Sequence, residues 1–302
     1  MCVRLLLPAI GHRYPHSLVC SAKACIGNTM VYVYDGSYEG MLSCVFVIFK
    51  NRITPIAIST AASYQLTLLD AVEQVATDEE WAARVLKGID ERTRGRASVL
   101  IYTLFLSELP LCEMLVYEVI RAIIKKGDAS ILENFANPYI LKAAQIEKML
   151  RREVHRMHAF VRFQKSRDGL FYAAIDPDFN VLPLIGDHFE RRYADQPWLI
   201  FDARRHYGLH YDLKRQSFVN VDDAILGEIA QFKSEDKLQN TVFQDEALQD
   251  EREKEYQLLW KNYFQSVNIS ERNNAKLHLR HMPRRYWKHL TEKNFGQPIN
   301  PC

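Results

Sequence analysis

Residues 141–163, LKAAQIEKMLRREVHRMHAFVRF, constrain the fold more than any other stretch, because a helical apolar repeat and a dense basic stripe run through them side by side. At about 100° per residue, Ile146, Met149, Leu150, Val154, Met157 and Val161 fall on one side. Lys148, Arg151, Arg152, His155, His158 and Arg162 fall on the other. The first side requires a core; the second requires water or an anion. Charge on an exposed helix face is ordinarily there for solvation. Only Glu147 and Glu153 interrupt the positive charge between Lys142 and Arg167, however, and a face built for solubility alone mixes its signs.

A chain of 302 residues has room for one large domain or two small ones. Its 48% hydrophobic and 25% charged residues exclude general disorder. The net charge of only +2 means that an affinity for nucleic acid has to come from local clusters and not from bulk basicity. Cys2, Cys20, Cys25, Cys44, Cys112 and Cys302 form no CxxC pair, which points to reduced thiols in a cytoplasmic protein and not to a metal or iron–sulfur site. The longest apolar runs fall short of a membrane span, so no membrane association is expected. Residues 1–29 lack periodicity and make a poor signal peptide. They read as a non-native or disordered leader ahead of a biological start at Met30.

Val31 to Tyr34 alternate Val and Tyr and stop at Asp35-Gly36, which predicts a strand ending in a turn. Ser37 or Asp35 then caps a helix carrying Tyr38, Met41, Leu42, Val45, Phe46 and Phe49 at helical spacing. Further helices are predicted over 71–87 and 113–126, the second ending in Lys-Lys-Gly, with an apolar stretch over 97–109 between them. Asn137-Pro138 starts the central helix. LFYAAI and VLPLI, separated by Asp176-Pro177-Asp178, read as an antiparallel pair, and Asp187 as the cap of a short helix HFERRYAD. WLIFDARR, LHYDLKR and FVNVD read as further short strands. Residues 231–254, rich in Glu, Asp, Gln and Lys, are expected to be exposed. Tyr256, Leu259, Trp260, Tyr263, Phe264 and Val267 form an aromatic seam that reads as core packing, a strap closing the domain.

The expected fold is α+β. A largely helical amino-terminal part with one strand occupies 30–135, and a small antiparallel sheet with flanking helices and a basic tail occupies 136–292. Residues 293–302 are expected to be a flexible end.

The stretch NNAKLHLRHMPRRYWKHL, residues 273–290, holds Lys276, Arg280, Arg284, Arg285 and Lys288 with three histidines and no acid, and Tyr286 and Trp287 lie among them. Such cations neutralise phosphates while aromatic faces accept stacked bases. The plainer alternative is that Tyr286 and Trp287 anchor the tail to the core and the charges solvate it. His155 and His158, like His278 and His281, stand three apart, a spacing that can present two imidazoles to one metal on a helix. No further ligands accompany either pair, so no metal is expected. Asp202, Asp212, Asp222 and Asp223 lie in or beside predicted strands, where carboxylates serve magnesium, a general base, or solubility alone. The sequence has no GxxxxGK[ST], GxGxxG or GxSxG, so no nucleotide cofactor is expected.

Several long segments, in order, carry a resemblance: YDGSYEGMLSCVF near Met30, RREVHRMHAFVRFQ at 151–164, FYAAIDPDFNVLPLIGDHFERRYADQPWLIFDARR at 171–205, LWKNYFQSVNISERNN at 259–274 and RHMPRRYWKHL at 280–290. Together they resemble a bacterial family of DNA-metabolism proteins of unassigned activity, from Met30 to about Leu290. The resemblance implies a partner of a radical-SAM protein that modifies or repairs DNA. In some relatives the same region precedes a uracil-DNA-glycosylase-like domain; no such domain precedes Cys302, so glycosylase activity is not expected. The family supplies no catalytic residues, and the site residues below rest on charge and chemistry alone.

The leading expectation is a cytoplasmic protein that binds DNA, or a DNA lesion, as accessory to a radical-SAM enzyme in modification or repair. Its phosphate contacts are expected at Arg151, Arg152, His155, Arg156, Arg162, Arg280, Arg284, Arg285 and Lys288, with Tyr286 and Trp287 as stacking groups. One alternative is a nucleic-acid-processing enzyme with His155 or His188 as acid–base and Asp176, Asp202 or Asp212 assisting. Another is a scaffold that binds the radical-SAM protein without DNA affinity. The DNA expectation requires the cationic side of the central helix and the cationic tail to meet in one cradle. Acidic groups between them count against it.

Overall fold

A computed structural model of the chain describes residues 29–64, 71–167, 169–220, 250, 252–267, 279, 281–290 and 293. The expectations for residues 1–28, 231–249 and 294–302 lie outside the described residues, as do Arg280, Lys276, His278, Asp222 and Asp223. The chain forms two compact units, Met1–Arg151 and Arg152–Cys302. No helix among the described residues is long and apolar enough to cross a membrane.

In the first unit, β1 (Thr29–Tyr34), β2 (Thr54–Thr60) and β3 (Val72–Gln74) form a parallel sheet ordered β2-β1-β3. Val31, Tyr32, Val33 and Tyr34 of the central strand are all buried, as suits a parallel strand covered on both faces. One strand was expected here and three are found among the described residues. Pro55 near the start of β2 reads as a breaker, yet an edge strand tolerates a residue that cannot donate to the ladder. The helix expected over 71–87 begins only at α2 (Glu79–Thr93), because the Asp78 side chain accepts the Trp81 N–H at 3.0 Å and starts it there. The preceding residues pair with β1 instead, Val31 opposite Val72.

Helix α1 (Tyr38–Asn51) is capped by Ser37, whose Oγ accepts the Gly40 N–H at 2.9 Å. Helices α3 (Arg96–Leu106) and α4 (Cys112–Lys126) follow, the latter closed by Gly127 at φ 84, a left-handed stop. Tyr32, Met41, Leu42, Val45, Ile89, Ile101, Leu104, Val116 and Ile120 are among the residues of this unit's core.

The central helix α5 (Pro138–Phe160) starts where Asn137 Oδ1 accepts the Tyr139 N–H at 2.9 Å. Ile146, Leu150 and Met157 of the expected apolar side are buried, while Met149 is exposed. Glu153 occupies the buried stripe between Leu150 and Met157 at 1% exposure, a position where the repeat calls for an apolar residue.

The second unit carries a five-stranded sheet of β4 (Gln164–Lys165), β5 (Phe171–Ile175), β6 (Trp198–Asp202), β7 (Tyr207–Tyr211) and β8 (Gln216–Asn220), in that spatial order. The sheet was expected to be antiparallel, but β5 and β6 are parallel and α6 (Leu182–Arg192) is their crossover. VLPLI is therefore the start of α6 and not a strand, with Pro183 in its first turn, where proline is preorganised. Asp187 lies inside that helix instead of capping it. The amino-terminal half of the aromatic seam in α7 (Glu253–Val267) is not core either: Tyr256 is 58%, Leu259 63% and Trp260 40% exposed. The side chains of Tyr263, Phe264 and Val267 lie outside the described residues.

Candidate nucleic-acid interface

The carboxyl ends of the parallel pair β5 and β6 organise the polar chemistry of the second unit, the position at which α/β sheets place their loops of function. The loop after β5 holds Asp176 and Asp178, and β6 ends at the fully buried Asp202. Asp202 Oδ1 accepts the N–H groups of Arg204 at 2.9 Å and Arg205 at 3.1 Å, and its other oxygen pairs with Arg205 at 3.0 Å. Arg205 also donates to the carbonyls of Pro177 and Asp178, both at 3.2 Å, tying the two loops together. Burial pushes the Asp202 carboxyl up while Arg205 opposes it. With its oxygens held in this way, Asp202 braces the loops and bonds to neither His155 nor His188.

The tail closes onto the same region through Glu153. A 3-10 turn, Arg284–His289, buries Tyr286 to 2% exposure, and the Tyr286 hydroxyl donates to Glu153 Oε1 at 2.6 Å. The same oxygen accepts the Asp178 N–H at 3.1 Å, and Arg285 donates to Glu153 Oε2 at 2.9 Å. Arg285 also pairs with the Asp178 carboxylate, and Lys288 with Asp176 at 2.5 Å. Tyr286 packs its ring against Phe160 of α5 at 5.3 Å. A buried carboxylate is tolerated only when its oxygens are bonded, and here both are. The tail therefore meets α5, but Glu153, Asp176 and Asp178 stand between the two sets of cations. Tyr286 has no ring face open to a base, and Trp287 is half-buried, donating from Nε1 to the Met282 carbonyl at 3.1 Å with Arg284 5.8 Å and Lys293 5.0 Å from its ring. Arg284 is exposed.

Of the central helix cations, Arg151 pairs with Glu147 at 2.5 Å and Arg156 with Glu153 at 3.4 Å. Arg162 donates to the Ala159 carbonyl at 2.6 Å, and its guanidinium lies 5.5 Å from the ring of Trp260. Arg152 and His155 are exposed, and Arg152 makes no ion pair among the described residues.

A second cluster went unread in the sequence. His158 stacks on His188 of α6, with centroids 4.0 Å apart and rings 13° from parallel. Burial, then the positive charges of His188, His155 and Arg191, depress His158 to about 4. Burial, then Arg192 and Arg191, lowers His188. Both imidazoles are therefore neutral at pH 7, and His158 Nε2 is buried without a hydrogen-bond partner. Arg191 and Arg192 are exposed and make no ion pair among the described residues. The available signal was the 188, 191, 192 spacing in HFERRYAD, which places all three on one helical face once the segment is known to be helix. Among the described residues, no group of three or more His, Cys, Asp or Glu is placed to hold a metal ion.

A family profile described as a domain of unknown function, DUF4130, matches residues 110–292. No curated protein matches the sequence. Among solved structures, the chain is similar to one described as a DHH domain of a member of the s1p family of ribosomal proteins, with 14% identity and a TM-score of 0.23. That match covers 67% of this chain and 60% of the other.

Proposed function

We propose, for a chain that belongs to the DUF4130 family across residues 110–292, that it binds DNA as the accessory of a radical-SAM enzyme in DNA modification or repair. The observation that carries the reading is a set of exposed cations in the second unit, Arg152, Arg191, Arg192 and Arg284, for which the described residues supply no acidic partner. Unpaired guanidinium groups attract phosphate and release its counterions on contact, which gives an affinity that falls with salt. The radical-SAM partner is supported by the sequence resemblance alone. The acids between α5 and the tail narrow the reading: Arg285 and Lys288 act first as structural ties, and Arg284 is the tail residue suited to phosphate.

The test is a salt titration of DNA binding by the native protein, together with identification of what co-purifies with it. A negative slope of log affinity on log salt, reduced in Arg284→Glu and Arg152→Glu, supports the reading. Co-purification of a radical-SAM protein with no DNA affinity at low salt selects the scaffold in its place.

A further inference from the structure

Two helices of the second unit gather protonatable and cationic side chains around one point. His155 and His158 stand one turn apart on α5. His188, Arg191 and Arg192 follow one another at three and four residues on α6, so they share a face. The helices meet through the rings of His158 and His188, with centroids 4.0 Å apart. His155 and Arg191 both act on His158, and Arg191 and Arg192 both act on His188, which sets all of them around the stacked pair. Arg192 Nε donates to the Tyr193 hydroxyl at 3.4 Å, an anchor that orients the guanidinium and leaves its terminal amino groups without a partner among the described residues.

We propose that this cluster binds a phosphomonoester dianion, the terminal phosphate of a nucleic-acid strand, with Arg191 and Arg192 matching its charge and the rings of His155 and His188 donating to its oxygens. The nucleic-acid reading above supplies the source of that phosphate, a strand end; the chemistry of the site follows from the cluster alone. A phosphate diester brings one negative charge per residue along a line, and a groove that tracks it spreads its cations out. A monoester brings about −1.5 to −2 at pH 7 and three strong acceptor oxygens at one place, which suits cations that converge. Guanidinium groups hold phosphate in bidentate fashion, and neutral imidazoles add N–H donors.

The acids nearby do not occupy these groups. Glu190 is engaged by Gln216 of β8, while Asp187 and Asp195 are exposed and neither is among the groups that shift the imidazole pair. Arginines in the last turn of a helix have a simpler purpose, complementing its dipole. That purpose does not account for two imidazoles from different helices stacked beside them. A dianion relieves the repulsion that the cluster carries on its own.

The experiment measures fluorescence anisotropy of the full-length protein with one internally labelled single-stranded oligonucleotide, prepared with a 5′-phosphate, with a 3′-phosphate and with neither. The readout is the ratio of affinities with and without the terminal phosphate, which cancels contacts to the rest of the strand. One phosphorylated end is expected to bind about tenfold more tightly, the equivalent of about 1.4 kcal/mol, and the Arg191→Gln/Arg192→Gln variant should return the ratio to about 1. Should that variant fail to fold, the unaltered protein still answers, because inorganic phosphate should move the ring resonances of His155 and His188 in an NMR titration and an equal ionic strength of chloride should not. Equal affinity for all three oligonucleotides, with binding weakened in Arg284→Glu, overturns the terminal-phosphate site and leaves the nucleic-acid reading standing. No binding of any oligonucleotide at low salt, with the histidine resonances still moved by inorganic phosphate, removes the nucleic-acid reading and keeps a phosphomonoester site whose source is a small phosphorylated molecule. Absence of both responses removes both.

Discussion

Replacing Glu153 by Ala tests how the second unit holds its tail. Glu153 is 1% exposed and accepts from the Tyr286 hydroxyl at 2.6 Å, the Asp178 N–H at 3.1 Å and Arg285 at 2.9 Å. Without it, the buried Tyr286 hydroxyl and the Asp178 N–H lose their acceptor, at about 1–3 kcal/mol for each orphaned group. Arg285 is 40% exposed and keeps Asp178, so its loss is at most about 1 kcal/mol. Breaking a buried charge network by removing one member costs about 3–5 kcal/mol, and the separate contributions, about 2–7 kcal/mol together, bracket that range. Tyr286→Phe removes the hydrogen bond that the hydroxyl donates to the charged Glu153 and the one it accepts from the half-exposed Arg285, and the first of these is expected to dominate a cost of about 1.5–3 kcal/mol. Urea unfolding of the two variants and of their combination reads these values, and the double variant should fall short of the sum by about 0.5–3 kcal/mol because the residues touch. A loss below about 1 kcal/mol in Glu153→Ala, or strict additivity with Tyr286→Phe, refutes the claim that Glu153 latches the tail.

Stability should depend on pH through two histidines, His158 and His289, both depressed to about 4 mainly by burial. A base whose pKa is lower folded than unfolded contributes stability that is present above its unfolded value near 6.5 and is lost as pH falls towards 4. His158→Gln and His289→Gln should each flatten the fall in unfolding free energy across that window, and an unchanged profile counts against the burial described. Gly186→Ala puts a Cβ 2.7 Å from Leu209 Cδ2 where α6 packs on β7, so it should destabilise by about 1–3 kcal/mol in thermal unfolding. The thiols of Cys44 and Cys112 are buried and raised, Cys44 to about 12, so a thiol reagent should label them only after denaturation.

The elements that could be read directly are those whose cause is local. The Val-Tyr alternation of β1, the Ser37 cap of α1, the Lys-Lys-Gly stop of α4 and the Asn137-Pro138 start of α5 all depend on residues within a turn of one another. Where the cause is a partner far along the chain, local pattern misled. VLPLI has strand composition, and only its place as the crossover between two parallel strands makes it helix. Tyr256 and Trp260 repeat like core residues and lie exposed.

The candidate site divides in the same way. Periodicity alone determined that α5 would be a helix with a basic side, because each side chain's direction follows from the helical turn. Only the tertiary structure decided that Glu153 would sit in the buried stripe and meet Tyr286, 133 residues away, or that His158 would stack on His188 beside Arg191 and Arg192. A charge's partner is set by distance in space, and the chain's own order carries no record of that distance.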